Sequence, residues 1–454
     1  MRKKLLYNTA LLSASSLLMS FIGMAFQVWL VDRIGTTGIG LYQLVSSVTM
    51  LGATFAISGI RFASTRLISE ELGLERLSGV TGAVRRCLAY GCFFGFAAAA
   101  VLWFLAEPLG FLWVGDARTV LSLRLSAFSM PCVALCAALS GYFTACGRVW
   151  KPTLIHLIEQ LLGIALVALF LSRAPQDDIE KCCAAVVLGR LVADAAALLL
   201  MFLVYVDDRR RYYSDTAHSE RQTARMLRIA LPLAVSAYAR SALSTLQHLL
   251  IPRGLRSAGY SADNALSGYG VIHGMALPIV LFPSCILSAA AELIIPELTE
   301  VQVQNNQQAI RHIMRQYLRL SIMFSLAVGA FLFLFAEQLG VVIYNSHEAG
   351  RYIRILAPLV PVMYTDMSVD GCLKGLGQQV WSMGINILDA LLGVLLVWQL
   401  LPRYALNGYL FILYFSELFN FTLSVWRLRR IWRITEHPAR HRARGVISKP
   451  CPAG

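Results

Sequence analysis

LLSASSLLMSFIGMAFQVWLV, residues Leu11–Val31, decides the fold class. It holds no charged side chain, and as a helix it would run about 31 Å. That matches the roughly 30 Å hydrocarbon core of a bilayer. Further apolar blocks follow at Val84–Leu105, Leu154–Leu171, Ala184–Val206 and Leu318–Phe335. One such block could be a buried core helix, but a long series of them has no counterpart in a water-soluble domain. Composition agrees: 57% of the 454 residues are hydrophobic, 15% are charged and the mean hydropathy is +0.61. Water could not wet such a surface. Met1-Arg-Lys-Lys followed by Leu5 onward has the outline of a signal peptide. The apolar run continues to Val31, however, and no small-x-small cleavage site follows, so it reads as the first membrane helix.

Breaks in hydropathy place about twelve spans, near 7–31, 40–60, 85–106, 120–143, 152–172, 183–206, 228–250, 265–290, 317–336, 352–373, 381–401 and 407–427. Lys and Arg orient them, because cytoplasmic connections carry the excess of positive charge. With the N-terminus inside, 28 of the 40 basic residues fall on the cytoplasmic side and 10 outside, leaving Arg190 and Arg240 within the membrane. The expected architecture is therefore an all-α, multi-pass membrane protein with both termini cytoplasmic. The net charge of +14 is mostly this topological signal. No soluble basic face with interleaved aromatics is present, which excludes a nucleic-acid partner. Membrane lipids are the expected surroundings.

The long polar connection at 207–227 divides the chain into an N-terminal six-helix bundle, 1–206, and a C-terminal one, 228–435, with a disordered basic tail at 436–454. Weak internal similarity supports two halves: Gly38-Ile-Gly-Leu-Tyr42 opens the second span, and Leu266-Ser-Gly-Tyr-Gly270 the eighth. Paired halves are a common transporter plan, with the substrate at their interface.

Charges inside a bilayer are costly, and they face a cavity or a partner. In the seventh span Ser236, Arg240, Ser244 and His248 recur every fourth residue and share one face. Arg240 lies about 18 Å along a helix begun near Arg228, too deep to snorkel easily. It is the candidate for holding an anionic headgroup such as a pyrophosphate, or else pairs with a carboxylate. Thr9, Ser13, Ser16, Ser20, Gly23 and Gln27 form a matching stripe on the first span, with Gln27 the member best placed to meet water. Tyr269 and His273 mark the eighth span. Pro232, Pro278, Pro283, Pro358 and Pro361 are candidate hinges. Arg190 and Asp194 read as an intrahelical pair. Asp366 and Asp370 share a face, and two close carboxylates raise each other's proton affinity. They lead Glu159, Asp389 and Glu417 as ion- or proton-coupling candidates.

No GxxxxGK[ST] loop, HExxH pair, serine elbow or acidic metal-binding loop is present, and the ten cysteines form no CxxC or Cys/His cluster. An enzyme is not expected, nor a metal or cofactor.

Several motifs in order resemble one family: Ile34-Gly-Thr-Thr-Gly-Ile-Gly-Leu-Tyr-Gln43, Ile57-Ser-Gly-Ile60, Arg66-Leu-Ile-Ser-Glu-Glu-Leu-Gly73, Glu159-Gln160, Ile229-Ala-Leu-Pro232, Ile251-Pro252, Gly274-Met275, Ile295-Pro-Glu-Leu298 and Gly375-Leu-Gly377. Together they look like the stage V sporulation protein B-like, polysaccharide-exporter branch of the multidrug/oligosaccharidyl-lipid/polysaccharide (MOP) superfamily. The resemblance implies two six-helix bundles in the V arrangement of MATE transporters. It also implies a cationic cavity lined by spans one, two, seven and eight. Arg240 falls where such a cavity arginine is expected, and Arg61 ends span two on the same side. Span one departs by offering Ser20 and Gln27 where relatives often carry arginine. Gly163 also stands where a basic residue is usual, and the extra C-terminal helix pair of some members is absent. The expected function is alternating-access flipping of an undecaprenyl-pyrophosphate-linked oligosaccharide or peptidoglycan precursor across the cytoplasmic membrane, beside glycan-synthesis enzymes. The alternatives are a cation-coupled multidrug exporter, a membrane glycosyl- or phosphoglycosyl-transferase, and a sporulation scaffold.

Overall fold

The structure, a computed structural model, describes residues 2–74, 77–175, 178–209, 222–304 and 306–436. Among these residues there is no strand. The α-helices in order are α1 (Arg2–Ile57), α2 (Ile60–Gly73), α3 (Leu77–Pro108), α4 (Val120–Ala127), α5 (Ser129–Ala145), α6 (Trp150–Leu171), α7 (Ile179–Arg209) and α8 (Gln222–Ser257). They continue with α9 (Ala262–Gly270), α10 (Leu277–Leu281), α11 (Ser284–Val303), α12 (Gln307–Tyr344), α13 (His347–Leu356), α14 (Val360–Gly375) and α15 (Gln379–Glu436). The tail beyond residue 436 and most of the 207–227 connection lie outside the described residues, as does the side chain of Thr9.

Among the described residues, eight helical segments are long and apolar enough to cross a membrane, or nine if the pair bent by 41° at Phe128 is one span. Two of them, Ser13–Gly73 with 61 residues and Gln379–Ile431 with 53, are too long for a single crossing. At 1.5 Å per residue they run to roughly 90 and 80 Å. Each is broken inside, at Gly35 (φ 69°) and at Ala405 (φ 50°), three residues after Pro402. Taken as two crossings each, they bring nine segments to eleven. The column α13–α14, whose helices of 10 and 16 residues are each too short to cross alone, is the remaining candidate for a twelfth.

Large apolar side chains point outward: Phe104 is 77% exposed, Val342 83% and Leu334 66%. In water that surface would aggregate, whereas in lipid it is the solvent-facing side. The buried core is forked. One continuous cluster joins residues of both halves, from Leu30 and Ile39 to Leu266 and Ile412. At the other end it gives way to two separate clusters. One is built on Ile60, Leu67, Tyr142 and Met201, the other on Leu298, Met314, Leu373 and Leu428. The halves are thus fused at the end holding Thr36 and Asp263, here called outer from the charge count. They part toward the inner end, which holds Arg66 and Arg311. That is a V with its apex outside.

The prolines behave differently from one another. Pro283 separates α10 from α11, Pro358 lies within the short 3-10 turn Ala357–Leu359 and Pro361 in the first turn of α14, whereas Pro232 lies inside an uninterrupted α8. The first turns of α8 also lean on the N-terminal half: Met226 and Ala230 belong to its inner core cluster. Ser58 and Gly59, both left-handed, turn the chain between α1 and α2, and a Cβ on Gly59 would stand 2.7 Å from the Ala230 carbonyl oxygen. That close approach requires glycine.

Candidate functional site: an unpaired cationic cavity between the halves

Where α1 and α2 face α8 and α15, a cavity of about 280 Å³ opens. Arg61 and Arg240 both line it, with Thr54, Ser236, Met383 and Asn386. Both arginines are exposed to it, and neither guanidinium has an ion-pair or hydrogen-bond partner among the described residues. Among the described residues no carboxylate lines the cavity. An unpaired arginine at this depth costs roughly 3 kcal/mol on insertion scales, a cost that water or an anionic ligand in the cavity would offset. The Ser236 hydroxyl is already committed to the Leu233 carbonyl at 2.9 Å. Asn386 accepts from Asn420 at 3.3 Å and keeps its own amide hydrogens for the cavity. Sequence reasoning missed Asn386, Thr54 and Met383. A lone amide three residues before Asp389, in a strongly apolar helix, was the available signal for Asn386.

The rest of the α8 stripe leaves this cavity. Ser244 is exposed higher on the helix and does not line it. His248 Nδ1 instead hydrogen-bonds the Tyr269 hydroxyl at 3.0 Å, and His273 Nε2 bonds the Tyr409 hydroxyl at 2.6 Å. The two imidazoles stack edge-on at 4.9 Å inside the C-terminal half. The shared helical face is real, but the packing of α9 and α15 over its outer part turns the histidines into core. Gln27 sits elsewhere too. Its Nε2 donates to the Gly274 carbonyl at 3.1 Å, which a π-helical turn, Val271–Ala276, leaves available. With Ser16, Ser20 and Gly23 it lines a second groove of about 460 Å³ between α1 and the region α10–α11.

The carboxylates lie behind the cavity, in two groups. In the N-terminal half, Glu159 and Asp194 line two adjoining cavities of about 360 and 150 Å³, the first shared with Arg190 and the second with His156 and Arg61. Glu159 bonds His156 at 3.0 Å. The expected Arg190–Asp194 pair is not closed: among the described residues no contact within 4.0 Å joins them, and both face the first of these cavities. Arg61 therefore stands in the wall between the central cavity and the acidic interior. In the C-terminal half, Asp366 lies within electrostatic reach of Asp370 and Asp389, and Glu417 within reach of Asp366 and Asp389. Asp366 Oδ1 is buried without a partner. Asp389 accepts from Ser416 at 2.7 Å. Asp370 is the most committed, paired with Lys374 at 2.5 Å and with Ser382.

At the outer end the halves are clasped. Arg118 bridges Asp116 at 2.7 Å and, across the seam, Asp263 at 2.8 Å. Arg256 donates to the Gly115 and Val114 carbonyls at 2.8 and 3.3 Å, and Ser267 to Thr36 at 2.8 Å. On the inner side the contacts between halves are narrower. Arg225 at the start of α8 pairs with Glu70 and, at 3.6 Å, with Glu71, while Tyr238 donates to Ser58 at 2.6 Å.

A helical V in the membrane, closed at one end around a polar central cavity, defines a membrane transporter of the MOP superfamily. The chain belongs to the polysaccharide biosynthesis protein family, whose model matches residues 5–302, and a MatE family model matches residues 256–398. It is 22% identical over 411 residues to stage V sporulation protein B of Bacillus subtilis (strain 168), covering 89% of this chain and 79% of that one. In fold it is similar to the inward-facing conformation of a multidrug resistance MATE family transporter of the MOP superfamily, with a TM-score of 0.74 at 16% identity over 95% of this chain and 99% of that one. Against an outward-facing conformation of a multidrug resistance MATE family transporter the TM-score is 0.62, at 16% identity over 94% of this chain and 97% of the other.

Proposed function

We propose that the chain moves a lipid-linked anionic saccharide, of the undecaprenyl-pyrophosphate class, between the leaflets of the cytoplasmic membrane by alternating access. The observation that carries this reading is the pair Arg61 and Arg240, two guanidinium groups that, among the described residues, have no partner and line one cavity with no carboxylate. A guanidinium binds a pyrophosphate as a planar fork, and each charge-assisted hydrogen bond contributes about 1.5–3 kcal/mol. A neutral or cationic drug would gain nothing there. The sugar would follow the headgroup past Asn386 and Ser236, while the polyprenyl chain stays in lipid. The reading also places the protein beside the glycan-synthesis enzymes that make and consume such a lipid. Asp366, Asp389, Glu417 and Glu159 are then the candidates for ion coupling.

The test is headgroup accessibility of fluorescent lipid-pyrophosphate sugars in proteoliposomes. Arg240→Ala and Arg61→Ala should each slow transbilayer movement at least about tenfold, since 1.4 kcal/mol is one decade. Wild-type rates in both variants would overturn the reading.

A second reading, cation-coupled multidrug efflux, is favoured by the MatE match over residues 256–398 and by the buried carboxylates Asp366, Asp389 and Glu417. It expects drug extrusion that survives Arg240→Ala and fails in Glu417→Gln, which susceptibility profiling would read directly.

A further inference from the structure

Away from the central cavity, the inner end of the C-terminal half holds a second polar pocket with no part in the transport path described above. It lies where the ends of α11, α12, α14 and α15 meet, and measures about 130 Å³. Arg311, Gln302, Gln307 and Gln378 supply its polar wall, and Met314 and Leu428, both buried, are among the residues of its apolar wall. The Arg311 Nε is buried without a hydrogen-bond partner, and among the described residues its guanidinium pairs with nothing. A buried donor left unmade is costly and calls for an acceptor.

The amide of Gln378 is oriented by its neighbour. Arg427 donates to Gln378 Oε1 from Nε at 3.2 Å and from Nη2 at 2.5 Å. Arginine only donates, so the oxygen end of the amide is fixed toward Arg427 and the NH2 end is left to the pocket. Arg427 is itself held over the Trp381 ring at 4.7 Å. Gln302 spends one amide hydrogen on the Leu376 carbonyl at 3.4 Å. Donors of Arg311 and two glutamines therefore line one space, a second cation stands behind it, and among the described residues no carboxylate lines it.

We propose that this pocket binds a phosphate oxyanion, supplied by the headgroup of an anionic phospholipid in the leaflet at this end. The pocket has less than half the volume of the central cavity, about 130 against 280 Å³, and has room for a phosphate group. The apolar wall favours a lipid over free phosphate, because a headgroup brings glycerol and acyl carbons to cover Met314 and Leu428. Binding would tie the last turns of α15 to the start of α12.

The experiment measures thermal unfolding of the purified full chain in detergent, with phosphatidylglycerol, phosphatidylcholine or inorganic phosphate added at matched ionic strength. At tenfold its Kd a ligand raises the folded-to-unfolded ratio about elevenfold. Phosphatidylglycerol should therefore raise the midpoint by about 1–2 °C, phosphatidylcholine should not, and Arg311→Gln should abolish the rise. Arg315→Gln, at an exposed position on the same helix, should keep it. If Arg311→Gln does not fold, Gln378→Leu takes its place, with the same loss expected. An equal, Arg311-dependent rise with inorganic phosphate would overturn the lipid source and assign the pocket to soluble phosphate. A rise that persists in Arg311→Gln, disappears equally in Arg315→Gln, or is absent with every probe would overturn the site.

Discussion

Gly40→Ala should prise the outer end open. In the clasped seam an ideal Cβ on Gly40 would stand 2.2 Å from the Leu266 carbonyl oxygen, and one on Gly270 would stand 2.2 Å from that of Thr36. A carbon–oxygen contact settles near 3.3 Å, so the alanine methyl must push α9 off α1 by about 1 Å. The obstacle is backbone, which cannot rotate away. Overpacking of this kind costs about 1–3 kcal/mol, and only the outer-closed state bears it. The outward-open population should rise about 5–150-fold; starting from a minor state near 1%, it would reach roughly 5–60%. Spin labels at Leu121→Cys and Tyr260→Cys, exposed positions at the outer ends of the two halves, would report a second, longer distance by pulsed electron resonance in a cysteine-depleted background. Gly384→Ala, where nothing lies within 4 Å of the added Cβ, is the control. If the Gly40→Ala distance distribution superimposes on the wild type, the glycine seam is not what closes the outer end.

Three further outcomes are expected. Tyr409→Phe removes the hydroxyl that His273 bonds at 2.6 Å inside a fully packed site; it should lower unfolding stability by about 1–3 kcal/mol while flipping stays within about twofold, and lost transport at intact stability would return His273 to the substrate path. Asp208→Asn strips the charge that Lys151 meets at 2.9 Å and Arg148 also meets, with a Tyr142 hydrogen bond at 2.9 Å. Its cost should be about 2–3 kcal/mol in thermal unfolding, less than for a fully buried pair because both cations keep contact with water, and no loss would show that the cluster is solvated. Glu417→Gln, which holds that position permanently neutral, should tighten rather than weaken headgroup binding and abolish gradient-driven movement, and full gradient dependence in the variant would remove Glu417 from coupling.

The membrane class and the two halves were legible because the bilayer permits only one regular answer to an apolar run of this length. Arg240 was legible for the same reason, since a charge at that depth demands an explanation. Joining Arg240 to Arg61 required the fold, because 179 residues separate them and only the packing of α2 on α8 brings them to one cavity. The histidines show the limit of periodicity. Every fourth residue from Ser236 to His248 does share a face, yet that face passes from the cavity into the core as α9 closes over it. Pro232 shows the same limit: a proline marks a missing donor, and a neighbouring half that packs against both sides of it keeps the helix continuous. The breaks at Gly35 and Ala405 fall in the hydropathy gaps at 31–40 and 401–407, the first on a glycine and the second three residues after Pro402. The helix at Ala405 turns against alanine's own preference, so the constraint comes from the outer seam rather than from the residue.

Charge is sorted between the halves in a way that bears on mechanism. Cations face the central cavity, and carboxylates sit one layer behind it on both sides. Two polar connections cross that layer. In the N-terminal half Arg61 lines both the central cavity and the space holding Glu159 and Asp194. In the C-terminal half Asn386, on the cavity wall, accepts from Asn420, which accepts from Ser424 at 3.4 Å, the residue nearest Asp366 in that network. An anion bound between Arg61 and Arg240 would compete with the N-terminal carboxylates for Arg61 and would repel the C-terminal ones across a single row of amides. Both effects make a proton or cation at the carboxylates more favourable when the cavity is full, and by linkage the coupling is reciprocal. A lone cationic cavity could bind and release its ligand on either side with equal ease. The carboxylates behind it give occupancy on one side an electrostatic consequence that an ion gradient can act upon.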